Sequence, residues 1–159
     1  MPKYHYRYRK PQRRHFPVRL ALVLLALLAL CIYPFIEART LTVDEHTVQV
    51  ANLPANLKNL KIVYATDIHQ SRWFSQSRVN ELVKTINGLS ADLVILGGDY
   101  AEDSDGAIEF FENLPSISAR IGVYAVLGNH DRTEPESNLP VLIGTIKGRG
   151  IIPLVNNVA

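Results

Sequence analysis

Cysteine is nearly missing from this chain of 159 residues: the lone Cys31 excludes an intramolecular disulfide and a cysteine-rich zinc module. Acidic residues are missing from the first 36 positions, and histidine is missing after Asp131. Glycine and proline, at nine residues each, are too few for a collagenous or low-complexity chain. What is present, 47% hydrophobic and 20% charged residues, is the balance of one modest globular domain. The formal charge of +2 hides a division: Met1 to Arg19 carries seven Lys/Arg and no acid, so the remainder is net acidic.

Behind the basic stretch, Leu20 to Ile36 runs seventeen residues without a charge and without a polar face. At 1.5 Å per residue such a helix reaches about 25 Å, enough for a bilayer if Arg19 and Glu37 snorkel toward the headgroups. The pattern predicts a transmembrane signal-anchor over 20–36 and a basic cytoplasmic segment over 1–19. It also predicts export of the chain beyond the anchor, because cations mark the cytoplasmic side. Ile36-Glu37-Ala38 is a poor signal-peptidase site, which favours a retained anchor in the inner membrane. Arg13-Arg14-His15-Phe16 resembles a twin-arginine export signature, although paired arginines beside a span also serve as plain topology determinants.

Alternation in Leu41, Val43 and Thr47 to Val50 around Asp44-Glu45-His46 predicts a β-hairpin within a linker over 37–57. From there the pattern changes period. Strands are expected at Leu60 to Thr66, Leu93 to Leu96, Gly122 to Leu127 and Ile151 to Val155. Helices are expected between them, from Ser77 as N-cap to Asn87-Gly88, over Ala107 to Leu114, and over Leu139 to Lys147. Strands alternating with helices read as right-handed βαβ units and a mainly parallel sheet, an α/β fold. The uninterrupted apolar run Leu93 to Leu96 predicts a sheet covered on both faces.

Three motifs stand just past the carboxyl ends of successive strands: Asp67-Ile68-His69, Gly98-Asp99, and Gly128-Asn129-His130-Asp131. That is the rim on which open α/β sheets place their ligands. Convergent Asp67, His69, Asp99, Asn129 and His130 would repel one another in a cleft unless a cation joined them. Oxygen and imidazole donors without thiolates suit Zn, Mn or Fe. Asp99, in the middle, could bridge two such ions, an arrangement used for displacement at phosphorus. Singly, each motif also fits an ordinary strand-end turn; their order and spacing carry the metal-site reading.

With D-x-H, G-D and G-N-H-D in that order, the chain from about residue 58 onward resembles the calcineurin-like metallophosphoesterase superfamily, and among its members the membrane-associated bacterial phosphodiesterase type. The resemblance implies the N-terminal half of a four-layer α/β/β/α fold over 58–159, preceded by one transmembrane helix and incomplete at its C-terminal end. It implies that Asp67 and His69 hold a first metal ion, that Asp99 bridges two and that Asn129 holds the second. It further implies that His130 acts catalytically on the phosphoryl or leaving oxygen, with Asp131 orienting its imidazole. The implied activity is hydrolysis of phosphomonoesters or phosphodiesters, lipid-linked or nucleotide-containing, by a hydroxide activated by two divalent metal ions. No specific nucleic-acid partner is expected.

The departure lies in the missing later histidines, with which that superfamily completes its metal sites. His5, His15 and His46 lie upstream and are misplaced for the task. The rival reading is therefore a catalytically incompetent, membrane-anchored fragment with partial metal binding or a protein-interaction role. Trp73-Phe74, just after the first motif, fits a substrate entrance, a lipid contact or packing over the neighbouring helix.

Overall fold

The computed structural model describes residues 17–37, 40–133, 135 and 138–155. The basic segment 1–16, with Arg13, Arg14, His5 and His15, falls outside them, as do residues 156–159. Two compact units divide the chain, Met1–Thr47 and Val48–Ala159.

In the first unit, Leu- and Ala-rich sequence forms the helix α1, Val18–Glu37. Its described side chains, up to Tyr33, are all exposed and almost all apolar. Among the described residues no helix is long and apolar enough to cross a membrane. The helix expected over 20–36 forms, within Val18–Glu37; its crossing of a bilayer is not shown. The hairpin expected between Leu41 and Val50 does not form: residues 40–50 have no regular secondary structure, and Val48 is 79% exposed. Alternation alone does not make a hairpin stable without a third strand or a covering layer.

The second unit opens with a 3-10 turn at Ala55–Leu57 and then alternates regularly. The order is β1 (Ile62–Ala65), α2 (Gln76–Gly88), β2 (Leu93–Leu96), α3 (Ser104–Asn113), β3 (Gly122–Ala125), a 3-10 turn (His130–Arg132), α4 (Asn138–Gly148) and β4 (Ile152–Pro153). The strands form one parallel sheet in the order β1-β2-β3-β4. Each strand stands beside the next in sequence, so the three motif loops leave the sheet from adjacent strands.

Side-chain alternation sorts the sheet into two faces. In register, Val63, Val94 and Val123 share one face with Ala65, Leu96 and Ala125. These join Val79, Val83 and Ile86 of α2, Phe110 and Phe111 of α3, and Leu142 and Ile146 of α4 in a single core. All three helices thus pack on one face, as right-handed crossovers in sequential order require. The other face carries Ile62, Tyr64 and Ile152, 51%, 63% and 46% exposed. The sheet is covered on one face, not on both. Leu93 to Leu96 reads as continuously apolar because Leu93 and Ile95 line this second, half-open face.

Local chemistry explains where the helices start. The Asp103 carboxylate accepts the Gly106 amide hydrogen at 2.8 Å and so caps α3 three residues earlier than its apolar period indicates. Ser75, not Ser77, is the N-cap of α2, and the two hydroxyls bond each other at 2.8 Å. Beneath the carboxyl rim, Tyr100, Phe110 and Phe111 form a buried aromatic cluster with ring centroids 4.6 to 5.3 Å apart.

Candidate metal centre

Beyond β1 the chain does not turn away at once. The amides of Asp67, His69 and Gln70 donate to the carbonyls of Gly98, Asp99 and Tyr100 at 2.8 to 3.0 Å. The pairing continues past the strand ends on a kinked path: Asp67, His69 and Asp99 all have left-handed backbones, with φ of 53°, 45° and 54°. Non-glycine residues in that region cost energy and collect at functional sites.

The kinks bring side chains together. Ligand atoms of Asp67, His69 and Asp99 lie within 4.8 Å of one another, and a second group, His69, Glu102 and His130, meets the same limit. The rings of His69 and His130 stand edge to face with centroids 4.9 Å apart. Among the described residues no Lys or Arg forms a salt bridge with Asp67, Asp99 or Glu102, and the Asp67 carboxylate accepts no hydrogen bond. A cluster of carboxylates and imidazoles left without cationic side chains fits a divalent cation.

The β2 and β3 loops are locked together. Gly98 has φ of 95°, and a Cβ there would sit 2.5 Å from the Gly128 amide nitrogen. A Cβ on Gly128 would lie 2.1 Å from Asp99 Oδ1. Only glycine fits at either place. The same Asp99 Oδ1 accepts the His130 amide hydrogen at 3.0 Å.

His130 begins the 3-10 turn, partly buried, and its Nδ1 lies 3.0 Å from the Glu102 carbonyl oxygen. A carbonyl only accepts, so Nδ1 carries the proton and Nε2 remains for exchange. That hydrogen bond raises the imidazole pKa above 6.5; burial opposes it, and the charges of Asp99, Glu102 and Asp131 add to the rise. The expected partner of this imidazole was Asp131. Its carboxylate is instead fully buried and bonded to three backbone amides, of Asp99 and Gly128 at 2.8 Å and of Tyr100 at 3.0 Å. Burial raises the Asp131 pKa, and the three amides oppose the rise. Asp131 makes no hydrogen bond to the His130 ring; the Glu102 carbonyl orients it.

Asn129 stands exposed just before the turn, and its side chain makes no hydrogen bond among the described residues. Glu102 was not expected. The available signal was its place in the short stretch between the end of β2 and the cap of α3, which faces the β3 loop.

The chain matches the family model described as calcineurin-like phosphoesterase over residues 60–156. It belongs to that family. It is 31% identical over 114 residues to the zebrafish (Danio rerio) transmembrane protein with metallophosphoesterase domain, covering 70% of this chain and 26% of that protein. It is 27% identical over 100 residues to the uncharacterized metallophosphoesterase YkuE of Bacillus subtilis, covering 61% and 35%. Against the phosphodiesterase YaeI of Escherichia coli, identity is 29% over 103 residues, covering 64% and 38%. The chain thus spans between about a quarter and two fifths of these relatives' length. Membership makes phosphoric-ester hydrolysis the family activity and divalent metals its cofactors.

Proposed function

We propose that this chain carries the first metal-binding loops of a phosphoester hydrolase acting on phosphomonoesters or phosphodiesters. The supporting observation is the convergence of Asp67, His69 and Asp99 from two adjacent strand ends, their ligand atoms within 4.8 Å. In this reading Asp67 and His69 hold one divalent cation, Asp99 reaches toward a second, and the exposed Asn129 amide serves that second position. Divalent cations there would polarise phosphoryl oxygens and make hydroxide available near neutral pH. His130 holds its Nδ1 proton on the Glu102 carbonyl and presents Nε2 as the atom that exchanges a proton with a substrate oxygen.

The test is calorimetric titration of the chain with Mn²⁺, alongside hydrolysis of bis-p-nitrophenyl phosphate by this chain and by a version extended to the length of its relatives. Saturable Mn²⁺ binding that Asp99→Ala removes supports the reading; binding unchanged in Asp99→Ala overturns it. A second reading, a fragment that binds metal without turnover, draws on the missing histidine after Asp131. Hydrolysis confined to the extended version would favour it for this chain.

We further infer that residues 20–36 hold the globular part outside the cytoplasmic membrane, with the N-terminus cytoplasmic. What supports this is the cation excess before an uncharged run and the all-round apolar exposure of α1 as far as Tyr33. Reporter fusions after residue 57 test it: periplasmic alkaline phosphatase activity supports the placement, and activity only of a cytoplasmic reporter overturns it. Arg13→Lys with Arg14→Lys separates the export routes, since unchanged translocation removes the twin-arginine reading.

A further inference from the structure

We infer that Asp131 is a positioning residue for the Asp99 carboxylate, and that it sets cation affinity without touching cation, substrate or the His130 ring. This role rests on cation binding by Asp67, His69 and Asp99, and concerns how that site is held.

At the end of β2 the backbone passes through Gly98 and Asp99 with φ of 95° and 54°. Successive amides in such a bend converge on one side and form a concave donor site suited to an anion. Asp131, 0% exposed and offered from the β3 loop, fills it with one oxygen on the Asp99 amide and the other on the Tyr100 amide. Its Oδ2 also takes the Gly128 amide at 2.8 Å, so a single carboxylate binds both loops.

The exchange is reciprocal. Asp131 accepts from the amide of Asp99, and the Asp99 carboxylate accepts from the amide of His130, the residue before Asp131. With Gly128 pressed against Asp99 Oδ1, the Asp99 side chain has little freedom once the loop is closed. Such an arrangement holds the Asp99 carboxylate in place through Oδ1, while Oδ2 accepts no hydrogen bond among the described residues, as a bridging oxygen needs. A neutral side chain of the same shape would turn an N–H toward backbone N–H groups and open the clamp.

Tyr100 supplies the control. Its buried hydroxyl lies 3.0 Å from the Leu96 carbonyl oxygen and 2.6 Å from that of Val126, tying the same strands below the site without contacting Asp131 through its side chain. A purely structural clamp would make Asp131 and the Tyr100 hydroxyl behave alike.

The experiment measures Mn²⁺ affinity by calorimetry on the whole chain as wild type, Asp131→Asn and Tyr100→Phe, with unfolding by urea followed in parallel. Asp131→Asn is expected to weaken Mn²⁺ binding about tenfold or more, whereas Tyr100→Phe loses stability and keeps its affinity. Equal Mn²⁺ affinity in wild type and Asp131→Asn overturns the inference, as does equal weakening in Tyr100→Phe. Should Asp131→Asn fail to fold, amide exchange of the wild type decides: the inference requires slow exchange at Asp99, Tyr100 and Gly128, and rapid exchange there overturns it. Wild type that binds no Mn²⁺ but protects these amides overturns the cation reading and leaves the clamp standing as architecture only.

Discussion

The two rims of the sheet use polar side chains in opposite ways. At the amino end, Asp92 accepts from the Lys61 amide at 2.9 Å and from Arg120 Nε at 2.6 Å. Asn87 nearby donates to the Ser116 carbonyl and accepts from the Ser118 amide, both at 2.9 Å, and Arg149 donates to the Leu114 carbonyl. Each of these polar groups is matched to a neighbour and joins one connection to the next. At the carboxyl end Asp131, Asp99 Oδ1 and His130 Nδ1 are matched to backbone groups in this way. Among the described residues the Asp67, His69 and Glu102 side chains make no hydrogen bond or salt bridge, and Asp67, His69 and Asp99 take strained left-handed backbones to face one another. One rim spends its charge on architecture; the other keeps charge in hand for a ligand.

The largest break in that contrast should come from Gly128→Ala. Its new Cβ would meet Asp99 Oδ1 at 2.1 Å, and separating the loops should cost about 3 kcal/mol or more in urea unfolding. Gly144→Ala is the matched control: it is exposed in α4 with nothing within 4 Å, and should stabilise by about 0.5 to 1 kcal/mol.

Next in size is the ligand effect. Mn²⁺ at about a hundred times its dissociation constant should add about 2.7 kcal/mol to wild-type stability, a gain that chelator reverses and Asp99→Ala lacks. An equal gain in that variant would place the cation elsewhere.

The amino rim gives a smaller, pH-dependent effect. The Lys61 amide and then Arg120 hold the Asp92 carboxyl below its ordinary 3.8. A depressed carboxylate stabilises the fold above its unfolded pKa and loses that contribution as pH falls through the lower folded value. Wild type should therefore exceed Asp92→Asn in urea midpoint at pH 7, with the gap closing below about pH 3.8; a gap independent of pH would refute the pairing. Smallest of all is Trp73→Ser. At 82% exposure the indole packs over no helix, and stability should move by less than about 0.5 kcal/mol.

The second unit was largely readable because its apolar periods are local. Leu93 to Leu96 and the helix ending at Gly88 fall where expected. The G-N-H-D and G-D loops are legible because each comes directly after a strand of a parallel sheet. The illegible features depend on partners across the fold. The hairpin over 41–50 failed for want of a covering layer, and Asp103 overrode periodicity as the cap of α3. The role expected of Asp131 falls to the Glu102 carbonyl because chain adjacency said that Asp131 neighbours His130, whereas the 3-10 turn points its carboxylate back at the Asp99 loop.

Sequential strand order carries one more implication. Neighbouring parallel strands stand about 4.8 Å apart, so the ends of β1, β2 and β3 form a line roughly 10 Å long running across the sheet. A substrate that touched all three loops would lie crosswise to the strands, with the helices along one flank and the Tyr64 side of the sheet along the other. Selectivity for one ester over another would then be written in whichever side chains border that second flank, away from the chemistry of the line itself.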